Sequence, residues 1–478
     1  MSASALRQEW ASNIRGDVLA GMTVALALIP EAIAFSLIAG VDPMVGLYAS
    51  FCIAVVIAIT GGRPGMISAA TGSMALVMVV LVAEHGLEYL LAATVLTGAL
   101  QVVLGLLKVG RFITFVPYSV VLGFVNSLAI LIFLAQVPFL VGVPWTVYAL
   151  VALTIAIVHF LPRLTKAVPS SLVAIVAVTA LALGLRLDLQ TVGDLGTITR
   201  SLPAFALPAV PLSLETLLII LPYSATLVVV GLLESLLTAS IVDEMTGTRS
   251  DRDREVRGQG LANCVAGLFG GMAGCAMIGQ SVINVKSGGS GRLSSLVAGL
   301  FLIVLIIVFG DILVQIPMAA LVGVMIMVAV GTFDWQSIRD LPKIPRSDAV
   351  IMLATVAIVV STHDLAKGVI AGVVMAALVF GYQMSRISAS SAVRDDGVKV
   401  YTVTGQLFFG TMAAFVDLFA YDDDPPEVRI DLGSSHVWDQ SAVAAIAKVR
   451  ERYRQQGKSV YVTGLNPESQ RTLDRGFS

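Results

Sequence analysis

Apolar residues dominate the chain from about Val18 to Met384, in long stretches separated by short polar or charged segments. A helix needs about 20 apolar residues to cross a bilayer. The stretches predict fourteen spans, at residues 18–39, 46–60, 71–83, 87–107, 117–137, 145–161, 169–185, 214–236, 258–270, 280–287, 293–310, 317–331, 347–362 and 366–384. The third and tenth are notably short. The pattern therefore predicts an α-helical polytopic membrane protein with fourteen transmembrane segments, two of which are half-helices.

Each half-helix follows a segment that is too polar and too glycine-rich for a bilayer interior. The segments are residues 68–73 (SAATGS) and 276–281 (AMIGQS). A Gly-Gly-x-x-Gly spacing precedes each, at Gly61, Gly62 and Gly65 and again at Gly270, Gly271 and Gly274. Broken helices in corresponding positions of two halves point to a transporter's substrate site, where irregular backbone lines a cavity. A helix that starts there offers unpaired N–H groups and a positive dipole end, so an anion is the natural ligand.

Positive charge is distributed unevenly among the predicted loops. With a cytoplasmic N-terminus, the inner loops carry eighteen Lys and Arg residues, whereas the outer loops carry only Arg186, Arg200 and Lys367. This asymmetry favours fourteen spans in the cell (inner) membrane with both termini in the cytoplasm. Seven spans per half is an odd number, so the second half is inverted relative to the first, and each break falls at the third span of its half.

The chain changes character after the last span. We divide it into a transmembrane domain at residues 1–385, a polar linker at 386–397 and a small soluble α/β domain at 398–478. In that last domain the pattern predicts strands at 398–403, 406–409, 428–432 and 459–463, and helices at 411–419 and 441–456.

The composition of the chain argues against several classes of function. The chain is 57% hydrophobic and 13% charged with a net charge of −2, whereas a soluble protein has about 25% charged residues. No nucleic-acid partner is expected. The three cysteines are far apart in apolar surroundings and are interpreted as core residues, and the four histidines are scattered, so we expect no metal, no cofactor and no enzymatic centre.

Two acidic residues lie inside predicted spans: Glu31 in the first and Glu234 in the eighth. A carboxylate at that depth costs at least about 2.5 kcal/mol, so each must be paired, hydrated or protonated. Each is either a structural group that binds the half-helix N–H groups or a substrate-site residue and proton carrier. Phe35 lies one turn after Glu31 on the same face, and either packs there or lines the site. The charged run at residues 249–257 is interpreted as a cytoplasmic loop that sets topology.

Three stretches resemble the sulfate permease (SulP) family of anion transporters, whose chains end in a cytoplasmic STAS domain. Residues 30–51 (PEAIAFSLIAGVDPMVGLYASF) are similar to the family signature that runs from Pro-Gln-x-x-Ala-Tyr/Phe to Pro-x-x-Gly-Leu-Tyr-x-Ser-Phe. Glu234 followed by residues 258–263 (GQGLAN), and residues 279–284 (GQSVIN) against the family's Ser-Arg-Ser-x-x-Asn, are further matches. The resemblance covers nearly the whole chain.

The resemblance implies a fold of seven plus seven inverted repeats. Spans 1–4 and 8–11 would form a core domain that holds the anion between the half-helices, and spans 5–7 and 12–14 a gate domain. Family members work as homodimers that move the core against the gate in an elevator mechanism. Carried over residue by residue, the anion site would comprise Glu31, Phe35, Ala70, Thr71, Gly72, Glu234, Gly279, Gln280 and Ser281.

Two positions depart from the family pattern. Glu31 stands where many members have Gln, and Gln280 stands where many have Arg. One change adds an acid and the other removes a cation, which suits a site that takes up a proton with its anion, because protonated Glu31 is a neutral hydrogen-bond donor. We therefore expect a secondary active transporter of a small anion (carboxylate, bicarbonate or sulfate-like), with the proton as coupling ion and Glu31 as coupling group.

Two alternatives stay open at this point. One is an anion exchanger or channel-like relative of the same fold, and the other is a membrane-anchored STAS scaffold. Residues 431–435 (DLGSS) and 439–441 (DQS) fit the STAS pattern, through which a cytoplasmic partner would bind. Ser441 falls where related bacterial anti-sigma antagonists are phosphorylated, although it could simply cap the helix that starts there.

Overall fold

A computed structural model describes residues 9–111, 116–165 and 168–477. Within this part of the chain a helix lies on each of the fourteen predicted spans. These helices are α1 Ile14–Ala39, α2 Pro43–Thr60, α3 Gly72–His85, α4 Leu87–Leu106, α5 Tyr118–Leu134, α6 Trp145–Leu164, α7 Ser170–Gly184, α8 Leu214–Thr246, α9 Arg252–Leu268, α10 Ile278–Lys286, α11 Arg292–Leu313, α12 Met318–Thr332, α13 Arg346–Thr362 and α14 Leu365–Met384. Short helices lie at Val192–Leu195 and Trp335–Asp340, and a 3-10 helix lies at Val137–Leu140.

Several of these helices are long and apolar enough to cross a bilayer. Nine helical segments meet that criterion in the described residues, and two shorter apolar helices, α3 and α7, accompany them. The protein is therefore a multi-pass membrane protein, while the count of fourteen crossings stays a prediction. Two residues of the charge count, Arg7 and Lys166, lie outside the described residues.

The charged run at residues 249–257 is not the loop that the sequence analysis expected. From Arg252 onwards it forms the first turns of α9, which the Asp251 side chain caps by accepting from Arg254 N at 2.9 Å. Glu255 in this run is fully buried, and its carboxylate accepts from Gly62 N at 2.7 Å and Arg63 N at 3.1 Å. The hydropathy of residues 249–257 predicted a loop, because a hydropathy value does not distinguish an exposed carboxylate from a buried one whose hydrogen bonds are satisfied.

Two short strands join the halves of the chain. β1 (Ser68–Ala70) pairs antiparallel with β2 (Gly274–Ala276), and the central pair is Ala69 with Cys275. The pairing satisfies backbone groups that would otherwise be exposed at membrane depth. The close pairing of the two strands also requires glycine at position 274, because a Cβ on Gly274 would lie 2.1 Å from Ala69 O. Each half-helix, α3 and α10, starts directly after its strand.

The register of these strands shows that the two glycine motifs are not equivalent. Counting from the central pair, Gly65 corresponds to Gly271, so the second motif is displaced by three residues. Backbone conformation also differs between the motifs, because φ is positive at the third glycine of the first, Gly65, and at the first glycine of the second, Gly270. The inverted repeat is carried by the strand–half-helix pairs and not by the glycine spacing.

The helices pack as two related groups. In one, α11 packs on α1 and α2, and α4 packs on α8 and α9. Gly98 of α4 and Gly260 of α9 allow close approach, since a Cβ on either would lie 2.5–2.6 Å from the other's carbonyl oxygen. In the second group, α5 packs on α13 and α6 on α12. We call these groups the core (α1–α4, α8–α11) and the gate (α5–α7, α12–α14).

The chain divides within α14 into one unit that ends at Gly372 and another that begins at Val373. The second unit contains a four-stranded sheet in the order β3-β4-β5-β6, antiparallel between β3 and β4 and parallel elsewhere. Its elements are β3 Ser388–Val393, β4 Lys399–Leu407, a 3-10 helix at Phe409–Thr411, α15 Met412–Val416, β5 Glu427–Val437, α16 Gln440–Gln455, β6 Ser459–Thr463 and α17 Pro467–Phe477. Tyr453 of α16 is fully buried against the sheet, where its hydroxyl donates to Asp424 Oδ2 at 2.5 Å.

Three expectations for this unit were wrong. The predicted linker contains edge strand β3, whose alternating small and polar residues resemble a loop in sequence. The predicted strand at 406–409 is the end of β4, which continues through Gly405 (φ 126°). Ser441 does not cap α16, because Asp439 accepts from Ala442 N at 2.9 Å and is the cap. Modification of Ser441, which is half-buried, stays a prediction.

Candidate functional site

A cavity of about 110 Å³ lies between the starts of the two half-helices. Core residues form one side of it and gate residues the other. The core contributes Glu31, Phe35, Thr71, Gly72, Ser73, Glu234, Met277, Ile278, Gly279 and Gln280, and the gate contributes Phe124, Val125, Leu128, Ile132, Val328 and Thr332.

Both half-helices present free backbone donors at this cavity. The first helical hydrogen bonds run from Ala75 N to Thr71 O and from Ser281 N to Met277 O, each 3.0 Å long. Three N–H groups per helix therefore precede them, on Gly72, Ser73 and Met74 in α3 and on Ile278, Gly279 and Gln280 in α10. None of these six groups has an acceptor among the described residues. Two positive dipole ends thus meet at one cavity.

Glu31 reaches the cavity from the middle of α1. Its Oε1 accepts from Gln280 Nε2 at 2.8 Å. The preceding residue, Pro30, lacks an N–H and leaves the carbonyl one turn earlier without its helical partner. The Phe35 ring lies against the half-helix start, since a Cβ on Gly72 would come within 2.9 Å of Phe35 Cε1.

Glu234 is held more tightly than Glu31. Its Oε2 accepts from Ser73 Oγ at 2.5 Å and from Cys275 Sγ at 3.1 Å. Thr71 Oγ1 lies 3.0 Å from Ser73 Oγ and 3.2 Å from Cys275 Sγ, which completes a buried polar cluster. The carboxylate therefore fixes the start of α3 to α8 and β2, and Cys275 is not merely a small core residue as the sequence analysis assumed.

Electrostatically the cavity is unusual for an anion site. Among its described lining residues, Glu31 and Glu234 are the only ionisable groups, and none is Lys, Arg or His. Attraction for an anion therefore comes from the helix N-termini and from neutral donors.

Seven of the nine predicted site residues line the cavity: Glu31, Phe35, Thr71, Gly72, Glu234, Gly279 and Gln280. Ala70 does not, because it lies within β1, where its N–H faces Ser50 Oγ at 3.3 Å. Ser281 does not either, since its hydroxyl accepts from Ile67 N at 3.0 Å. The predicted residues 70–72 lie one to three positions after the central strand pair, whereas 279–281 lie four to six positions after it. The first set therefore includes a residue of β1, and the second extends one residue beyond the cavity.

The sequence did not predict Ser73, Met277, Ile278 or any of the gate residues as part of the site. The strand register would have found Ser73, because it corresponds to Gly279. The gate residues are mostly ordinary apolar side chains of membrane helices and carry no signal in a single sequence.

An inverted pair of half-helices around one central cavity defines a class of helical membrane transporter. This chain belongs to the Sulfate permease family, whose sequence profile matches residues 14–159 and 144–355, and a STAS domain profile matches residues 389–476.

Three relatives illustrate the membership. The putative sulfate transporter YbaR of Bacillus subtilis is 57% identical over 464 residues, which cover 97% of each chain. The transmembrane domain of a cyanobacterial bicarbonate transporter, BicA, has a TM-score of 0.69 at 29% identity and covers 76% of this chain and 98% of that domain. The murine Solute Carrier 26 family member A9 anion transporter, in the inward-facing state, has a TM-score of 0.84 at 16% identity, covering 100% of this chain and 91% of that one, and shares the fold.

Proposed function

We propose that this protein carries a small anion across the cell membrane by secondary active transport, with the proton as coupling ion. The supporting observation is the cavity at which five lining residues with free backbone N–H groups meet a carboxylate hydrogen-bonded to an amide, with no basic side chain in the described lining. YbaR is named a putative sulfate transporter and BicA a bicarbonate transporter. A carboxylate, bicarbonate or sulfate-like anion fits donors of this kind.

The charges of the groups that line the cavity support proton coupling. An ionised Glu31 beside a bound anion would repel it, and no described cation in the cavity offsets that repulsion. Protonation removes the charge and gives the side chain a donor. A proton and an anion would therefore bind together more favourably than either alone, which is the thermodynamic requirement for symport.

An elevator movement is supported by how the lining is divided. Every charged group and every free N–H group of the cavity belongs to the core, whereas the gate offers apolar surface apart from Thr332. If the core moves against the gate, the anion keeps its polar partners throughout. We place the termini in the cytoplasm on the charge distribution, and we propose a homodimer whose STAS domain contacts a cytoplasmic partner. None of these proposed roles involves an enzymatic reaction.

Uptake by proteoliposomes tests the proposal. Labelled sulfate, bicarbonate and formate would be offered with and without an inward proton gradient. Accumulation above the outside concentration only with the gradient supports symport. Uptake that needs anion inside the vesicle and ignores pH would indicate exchange. No uptake of any anion would favour the scaffold alternative.

A further inference from the structure

The Gln280 side chain has one amide atom engaged and the other without a partner. Gln280 is 2% exposed. Its Nε2 donates to Glu31 Oε1, whereas no described group donates to its Oε1. A buried acceptor without a partner is unfavourable, because it has lost its hydrogen bonds to water and gained none in the protein. Since the two atoms lie on opposite sides of the amide carbon, Oε1 is directed away from Glu31.

This arrangement suits only one protonation state of Glu31. An ionised carboxylate accepts hydrogen bonds and donates none, so Nε2 must face it. A protonated carboxyl has an O–H to donate, and the amide oxygen without a partner is the matching acceptor. Rotation about the last side-chain bond of Gln280 exchanges the two amide atoms, and that torsion is broad and roughly two-fold.

We infer that the Gln280 amide couples proton to anion by this rotation, an inference that rests on the proposed function. With Glu31 ionised, the amide NH₂ is held by the carboxylate. When Glu31 binds a proton, its O–H donates to Gln280 Oε1, and the NH₂ turns to join the free N–H groups of Gly279 and Gln280. Protonation thus removes a negative charge and adds an anion donor in one step.

Few other titratable groups compete with Glu31. Glu234 also lines the cavity, and its Oε2 is occupied by Ser73 and Cys275. On α1 and the elements packed against it, the described titratable and charged side chains are Arg15, Asp17, Tyr48, Cys52, Glu84, His85, Lys286, Arg292 and Asp311, and α7, α12 and β1 carry none. None of these groups lines the cavity.

Two of these groups have partners of their own near the start of α11. Asp17 accepts from Ser290 N and Gly291 N, and Arg292 binds Glu9 and two backbone carbonyl oxygens. Glu234 is therefore the one other titratable group that the described lining places at the cavity with Glu31.

The test measures binding of labelled sulfate and formate to the full-length protein at about pH 5 and about pH 8, which differ about a thousandfold in proton concentration. Gln280→Met keeps the length of the side chain and removes both amide atoms. We expect it to weaken binding about tenfold at the lower pH, where the NH₂ faces the anion, and very little at the higher pH. In a Glu31→Gln background the loss should be about tenfold at both. Gln315→Met, outside the cavity, is the matched control.

The outcomes of this test distinguish a failure of the amide rotation from a failure of the proposed transport function. A Gln280→Met loss of equal size at both pH values, or one larger at the higher pH, would overturn the amide rotation and leave proton coupling intact. Wild type that binds neither anion, or binds them without pH dependence, would overturn the proposed function and the inference with it.

A second measurement needs no anion and no uptake. Infrared difference spectra between the two pH values should show a shift of the glutamine side-chain carbonyl band in wild type. That shift should be absent from both Gln280→Met and Glu31→Gln. A wild-type spectrum without it would contradict the rotation.

Discussion

Glu31 and Gln280 come from opposite halves of the chain, and their side chains lie within hydrogen-bond distance at 2.8 Å. Sequence alone singled out both, because one adds an acid to a family motif and the other removes a cation. It could not find Ser73 or the role of Cys275, since a serine in a helix turn and a cysteine among small residues are ordinary in membrane proteins. Their contacts with Glu234 depend on how β1 and β2 pair.

Direct contact predicts non-additivity at this pair. Gln280→Arg should give a protein that transports poorly, because the guanidinium would hold ionised Glu31 as an internal counter-ion that competes with the substrate. The double change Glu31→Gln with Gln280→Arg should recover proton-independent uptake of small anions. We expect an interaction free energy of about 1–3 kcal/mol.

Chloride uptake by wild type, both single variants and the double variant measures this interaction. Additive effects would mean that the two side chains do not share a site during transport.

Gly279 offers a test of the second half-helix that does not disturb packing. A Cβ there meets no atom within 4 Å, so Gly279→Val should fold normally while its side chain occupies the cavity. We expect anion uptake to fall at least about tenfold, as a blocked donor and lost volume both act on binding. Gly184→Val, at the end of α7 and equally unobstructed, is the control. Normal uptake by Gly279→Val would remove α10 from the site.

At the scale of elements, breaks in hydropathy predicted both half-helices, and apolar length predicted the helices around them. The start of α9 was not predicted, because its first turns are charged. The glycine spacing also predicted a repeat, but the two glycine motifs do not occupy equivalent positions in it, because they are three residues out of register. Edge strand β3 was missed because its small and polar residues carry no strand pattern.

Substitution of Glu255 tests how much the start of α9 contributes to the stability of the core. It accepts from the backbone of Gly62 and Arg63 and from Gln259 Nε2 at 2.9 Å, and so fixes the loop that leads into β1. Glu255→Ala should destabilise the protein by about 3 kcal/mol, because buried donors lose their acceptor. Thermal unfolding in detergent measures this, with exposed Glu244→Ala as control. Equal midpoints for the two variants would contradict the structural role.

At the scale of the whole molecule, every residue of the proposed site precedes the STAS domain. A protein that ends after Arg386 should insert and bind anion with an affinity close to that of the full chain. Ending it after Arg394 is a poorer design, because β3 would remain without its sheet. Anion binding by the two purified proteins decides this, and a well-folded truncated protein that binds nothing would show that the two units share the binding function.

The central claim is that Glu31 carries the proton that drives the anion. The most direct test compares proteoliposomes holding wild type, Glu31→Gln and the control Glu84→Gln, whose side chain is 61% exposed at the end of α3. Labelled anion is followed under an inward proton gradient. Wild type and Glu84→Gln should accumulate the anion above the outside concentration, whereas Glu31→Gln should only equilibrate it, because Gln resembles a permanently protonated Glu. Accumulation by Glu31→Gln to the wild-type level would contradict the account.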